Sequence, residues 1–152
     1  MYLSAQAIIE MAGQRKVHFQ NPLAIRLNKS LGDAVGLKNI GVHLITVQPG
    51  DYSTEYHHHH FEEECIYVLS GQGVAQIGET AHSIGAGDFI GCPANGAAHT
   101  MQATGNEPLV CLVMGQRLLQ DVADYPKLRK RLYRNNGEWN LVEHANIQSF
   151  NR

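Results

Sequence analysis

His57-His58-His59-His60-Phe61-Glu62-Glu63-Glu64-Cys65-Ile66-Tyr67-Val68-Leu69-Ser70-Gly71 runs through the middle of the chain. The run CIYVL at 65–69 is apolar and rich in β-branched and aromatic residues, and a glycine closes it at Gly71, so residues 64–70 read as a strand. The four histidines lie just before it, between two candidate strands, where a purification tag would not be placed. In extended chain alternate side chains share a face, so His57 and His59 point one way and His58 and His60 the other. One pair faces inward, and alternation alone leaves open which.

Working outward, PGD at 49–51, SGQG at 70–73, GE at 78–79, GAG at 85–87, PANG at 93–96 and TGNEP at 104–108 each supply glycine, proline or asparagine for a reversal. Between them lie candidate strands at 41–48, 52–60, 64–70, 74–77, 82–84, 88–92, 99–103 and 109–116. Fifteen glycines and five prolines in 152 residues fit this all-β texture. The flanks differ. Residues 5–13 (AQAIIEMAG) and 30–39 (SLGDAVGLKN, with Ser30 as cap) carry short helical patterns. Tyr125, Leu128 and Leu132 recur at helical spacing, with Pro126 at a first-turn position and Gly137 beyond the end, which predicts a short amphipathic helix docked on the core. Arg117, Lys127, Arg129, Lys130, Arg131 and Arg134 then form the wet face of the C-terminal segment.

Charge narrows the function classes. Twelve Lys and Arg against fourteen Asp and Glu give a net charge of -2, no footprint for nucleic acid or an anionic membrane, so a small-molecule ligand or substrate is the expected partner. No apolar run reaches the roughly 20 residues that span a bilayer. Cys65, Cys92 and Cys111 sit in apolar runs, odd in number, and read as buried thiols of a reducing compartment, hence a cytoplasmic protein. Asn28-Lys29-Ser30 spells a glycosylation acceptor that this reading treats as chance.

His57, His59, Glu64 and Gly71 form the frame H-x-H-x4-E-x6-G, and Gly87, Pro93, Gly96 and His99 follow as G-x5-P-x2-G-x2-H. With Gly50 upstream, residues 40–116 resemble the cupin superfamily. Two departures concern loop shape: two residues stand between Pro93 and Gly96 where the family more often has one, and Ala103 stands where asparagine is frequent. A third, six residues between Gly50 and His57 against five, keeps the histidine register open. The resemblance implies one cupin domain over 1–152. Its jelly-roll-like β-barrel core lies at about 40–116, with an N-terminal extension at 1–39, a C-terminal docking segment at 117–152 and short flanking helical segments.

It also implies one divalent metal ion (Fe, Mn, Ni, Co or Zn) held by His57, His59, Glu64 and His99, and a homodimer. Three imidazoles and a carboxylate suit such ions and leave positions for substrate or oxygen. The functional expectation is therefore a metal-dependent enzyme acting on a small polar metabolite, with oxygenase-like chemistry ahead of isomerase or lyase. The alternative is a non-catalytic ligand-binding or sensor cupin. Glu62, Glu63, His43 and Tyr67 are the candidates for a general acid or base. Tyr67, Gln76, Met101, Met114 and Gln116 are possible pocket residues, and His82 a further histidine within reach of a cavity.

Overall fold

The computed structural model describes residues 1–150. Its elements are α1 (Ala5–Glu10), β1 (Gln14–His18), β2 (Asn21–Ser30), α2 (Leu31–Ala34), β3 (Ile40–Val47), β4 (His58–His59), β5 (Glu64–Ser70), β6 (Gln72–Ile77), β7 (Thr80–Gly85), β8 (Phe89–Cys92), β9 (His99–Ala103), β10 (Leu109–Gln116), β11 (Gln120–Tyr125), β12 (Lys130–Asn135) and β13 (Glu138–Glu143). They pair in three antiparallel sheets, in the orders β1-β2-β3-β10-β5-β8, β13-β12-β11-β4 and β7-β6-β9. The six-stranded and three-stranded sheets face each other as a β-sandwich. Ile45, Val47, Ile66, Val68 and Cys111 from one meet Ala75, Met101 and Ala103 from the other in a single buried cluster. Each fully buried aliphatic side chain there, Val47, Val68 and Leu109 among them, contributes about 1.5–3 kcal/mol.

The central strands follow the turn signals. β5 and β9 coincide with the expected ranges, and Gly78 at φ 55 opens the tight turn between β6 and β7. Residues 52–60 form no continuous strand: only His58–His59 pair regularly, with isolated bridges at Tyr52 and His57. On the N-terminal side both short helices form, and Ser4 Oγ caps α1 by accepting from Ala7 N at 3.1 Å. Ser30 caps nothing with its side chain. β1 and β2, unexpected in the extension, widen the main sheet next to β3.

The C-terminal helix does not form. Residues 120–143 make β11, β12 and β13, with a 3-10 turn at Pro126–Leu128. Asn136 at φ 49 and Gly137 at φ 92 supply the two left-handed residues of a two-residue hairpin. The basic residues alternate accordingly: Arg131 pairs across with Asp124, while Leu132 is buried and packs with Ala123, Tyr125, Leu128 and Leu141. The spacing of Tyr125, Leu128 and Leu132 comes from strand, turn and strand. β11 pairs with β4, so this sheet carries part of the histidine run.

Candidate metal centre

The four histidines are strung between two sheets. His57 exchanges both backbone hydrogen bonds with His99, N to O at 3.2 Å and 2.8 Å, while His58 and His59 pair with Asp124 and Ala123 of β11. Glu64 starts β5 opposite Gly115 of β10. A Cβ at Gly115 would lie 3.1 Å from Glu64 Cγ, so glycine there leaves room for the carboxylate.

These elements bring His57, His59, Glu64 and His99 together. Glu64 Oε2 lies 3.3 Å from His99 Nε2, 3.8 Å from His57 Nε2 and 3.8 Å from His59 Nε2. His58 and His60 face away, toward Asp124, with ring centroids 5.1 Å apart. The tautomers of the inner pair follow from their partners. His57 Nδ1 donates to the Glu55 carbonyl at 2.8 Å, and His59 Nδ1 to Asp121 Oδ2 at 2.5 Å. Both Nε2 atoms are then left as acceptors, yet they stand 3.2 Å apart. Two acceptors at that distance require a cation between or beside them, either a proton or a metal ion. The set of three imidazole nitrogens and one carboxylate fits a divalent transition metal, and the Asp121-His59 pair has the form of the outer support that metal-binding imidazoles use.

The electrostatics fit a site that exchanges protons for a cation. Burial pushes His57 down to about 3. Burial opposes charge on His99 too, but Cys92 and Glu64 outweigh it and hold this histidine above its ordinary range. His59 is raised as well, Asp121 and Glu64 prevailing over burial. Burial would raise the Glu64 carboxyl, yet the three histidines win and lower it to about 2.

The cluster opens into a cavity of about 420 Å³ whose wall includes Lys16, Arg26, His43, Glu62, Arg117 and Arg134. Glu62 is buried, accepts from Leu118 N at 2.6 Å and is bridged to Arg134. His43 Nδ1 lies 3.2 Å from Asn28 Nδ2 and 3.1 Å from Ser30 Oγ. Arg117 is tied to Asp33. Among the described residues Arg26 makes one hydrogen bond, from a terminal nitrogen to the Ser53 carbonyl. Of the other sequence candidates, Met101 and Gln116 also border this cavity, whereas Tyr67, Glu63 and His82 are exposed and Gln76 and Met114 lie outside it. The sequence reading missed Lys16, Arg26 and Asp121. Arg26 and Lys16 sit on strands not foreseen, and Asp121 lies on β11, between the last expected strand and the expected C-terminal helix.

Residues 43–115 match the Cupin domain family. A solved structure from Acidithiobacillus ferrooxidans, provisionally named a sugar phosphate isomerase, is 58% identical, with a TM-score of 0.98 over 99% of this chain and 97% of that one. The chain belongs to the cupin superfamily. Two more distant structures share the cupin fold. A sugar phosphate isomerase of this superfamily from Silicibacter pomeroyi is 23% identical, with a TM-score of 0.79 over 91% of this chain and 93% of that one. A protein from Thermotoga maritima provisionally assigned as an oxalate decarboxylase is 24% identical, with a TM-score of 0.62 over 73% of this cupin and 96% of that chain. No curated protein matches this cupin. Among its described residues no helix is long and apolar enough to cross a membrane.

Proposed function

We propose that this cupin is a metal-dependent isomerase of a small phosphorylated sugar, with His57, His59, Glu64 and His99 as the ligands of one divalent ion. The observation that carries the reading is the pairing, in one cavity, of the histidine-glutamate cluster with the cationic side chains Lys16, Arg26, Arg117 and Arg134. Arg26 is the member of this group with most to offer an anion. Its guanidinium has one hydrogen bond, to a backbone carbonyl, and its remaining donors match the oxygens of a phosphate group. The relative that is 58% identical bears the name of the same activity.

Interconverting an aldose and a ketose moves a proton between neighbouring carbons while a carbonyl oxygen gains charge. A divalent ion in this site would supply Lewis-acid stabilisation of that oxygen. The protein supplies the rest. Glu62 is the proton carrier, since it borders the cavity and burial raises its carboxyl above the usual range despite Leu118 and Arg134, toward the acidity suited to proton transfer. Arg26 and Lys16 hold the phosphate end.

Oxygenase chemistry would use the same ligands, but it gives the cationic rim no role. A binding module would use the rim and leave Glu62 idle. Cytoplasmic location is part of this reading and rests on the three free thiols Cys65, Cys92 and Cys111. A homodimer is also part of it, supported by exposed Tyr67, Leu69 and Phe89 on neighbouring strands β5 and β8.

The test is a panel of phosphorylated aldoses and ketoses incubated with Mn-, Co-, Zn- and Fe-loaded protein in deuterated water. Isomer formation with deuterium entering at C1 or C2 is expected, with Arg26→Gln raising KM and Glu62→Gln lowering kcat. Binding without isomerisation by any loaded form would replace the enzyme with the binding module.

A further inference from the structure

The same alternation that sends His57 and His59 into the cavity sends His58 and His60 to the other side of β4, where a second constellation forms. His60 Nε2 lies 3.0 Å from Asp124 Oδ2, and His58 Nε2 lies 3.7 Å from the same oxygen. One ligand atom from each of the three residues lies within 4.8 Å of the others. His144, from the turn after β13, contacts Asp124 Oδ1 at 3.1 Å. All four side chains are less than half exposed.

Hydrogen bonding among these residues leaves one of them unaccounted for. Asp124 Oδ1 accepts from Arg131 Nε at 2.7 Å and from His144. Its Oδ2 accepts from an Arg131 terminal nitrogen at 2.7 Å and from His60. Each carboxylate oxygen has two good acceptor directions, so Asp124 has none left for His58, and the direction open to an ion is the Oδ2 one that His60 vacates when its Nε2 gives up its proton to coordinate. His58 Nε2 is beyond hydrogen-bond reach at 3.7 Å. Its Nδ1 is buried with no hydrogen-bond partner among the described residues. An imidazole held in this position with neither nitrogen bonded, next to a second imidazole and a carboxylate, has a free lone pair for a ligand.

We propose that His58, His60 and Asp124 form a second metal site, selective for a borderline divalent ion such as Zn(II), Co(II) or Ni(II) over Mg(II) or Ca(II). Two imidazole nitrogens and one carboxylate oxygen are the donors such ions take, whereas Mg(II) and Ca(II) require mostly oxygen. Arg131 keeps Asp124 in place but opposes a dication, so this site fills after the first. Because His58 is on β4 and Asp124 on the paired strand β11, a bound ion clamps the segment that presents His57 and His59 to the neighbouring strand of its own sheet.

Two measurements test this. Metal-free protein titrated with Co(II) should bind two equivalents. The His58→Ala/His60→Ala variant should bind one and the His57→Ala/His99→Ala variant should keep the weaker one. Crystals of the unaltered protein soaked in Co(II) should show an anomalous peak about 2–2.5 Å from Nε2 of both His58 and His60, which answers the question even where a variant fails to fold. A peak at His57, His59 and His99 with none at His58 and His60 overturns the second site and leaves the first. A peak at His58 and His60 alone sustains it and removes the metal from the proposed isomerase. Two equivalents that survive His58→Ala/His60→Ala also overturn it.

Discussion

Asp121 Oδ2 accepts a 2.5 Å hydrogen bond from His59 Nδ1, joining residues 62 positions apart, while its Oδ1 accepts from the backbone of Phe61 and Glu62 at 3.2 Å and 3.3 Å. One carboxylate therefore fixes both the tautomer of His59 and the turn that follows the histidine run. Asp121→Asn keeps the size and loses the charge. Loss of such an outer partner typically weakens metal binding about 10–100-fold. Competition against a chelator should show a drop of that size in Asp121→Asn with far-UV circular dichroism unchanged. An unchanged affinity would mean that His59 does not bind the ion.

Proton linkage gives the second prediction. Without a bound ion His99 and His59 are both held above the ordinary histidine range, so at pH 7 protons must leave before these imidazoles can coordinate. Protons and metal compete, and apparent affinity rises with pH, by up to about tenfold per pH unit for each proton displaced. His57, already pushed down to about 3, contributes nothing to this slope near neutrality. Calorimetric titrations in buffers of different ionisation enthalpy at pH 7 should report between one and two protons released per ion bound at the first site. Zero release would contradict the placement of His99 and Glu64 at 3.3 Å.

The third prediction concerns assembly. Tyr67 and Phe89 are directly opposed across β5 and β8 and are 41% and 64% exposed, with Leu69 beside them at 45%. An aromatic patch on an edge strand of the largest sheet is a surface that a second copy would cover. Light scattering should give about twice the 16.8 kDa chain mass, and Phe89→Glu should shift it to monomer. A monomer at tens of micromolar before any substitution removes the dimer.

What was legible in the sequence was whatever short-range rules control. The frame from His57 to Gly71 and the one from Gly87 to His99 are local patterns, and turn chemistry bounded β5 to β10 to within a few residues. The helix that apolar spacing at 125, 128 and 132 predicts does not form, because Asn136-Gly137 is a hairpin signal that needs no tertiary contact to act. β1 could not be read this way, since four of its five residues are exposed and no alternation shows. Asp121 and Arg26 reach the site only through strand pairing over long separations, and no local pattern marks them. Glu62 and His43 were candidates, but only the cavity separates them from Glu63 and Tyr67.

Gly71 gives the last prediction, and it connects the motif to the fold rather than to the metal. It lies at φ 83, where a side chain is strained, between β5 and β6. A Cβ there would lie 2.2 Å from the Pro108 carbonyl oxygen and 2.8 Å from Leu109 Cα, both backbone. No rotamer change relieves contact with backbone, so Gly71→Ala must either push the 108–109 segment away or flatten the turn. Leu109 is fully buried in the core, and β10, which it begins, bonds to both β3 and β5, so displacement spreads into the sheet carrying Glu64. Left-handed strain of about 1–3 kcal/mol and overpacking of about 1–3 kcal/mol give an expected loss of roughly 2–6 kcal/mol. Gly87→Ala is the control: it has similar strain at φ 94 but nothing within 4 Å of the added carbon, so it should lose only the first part. Urea denaturation of metal-free protein measures both. Equal losses in the two variants would show that the approach of Pro108 to Gly71 is not what makes glycine necessary there.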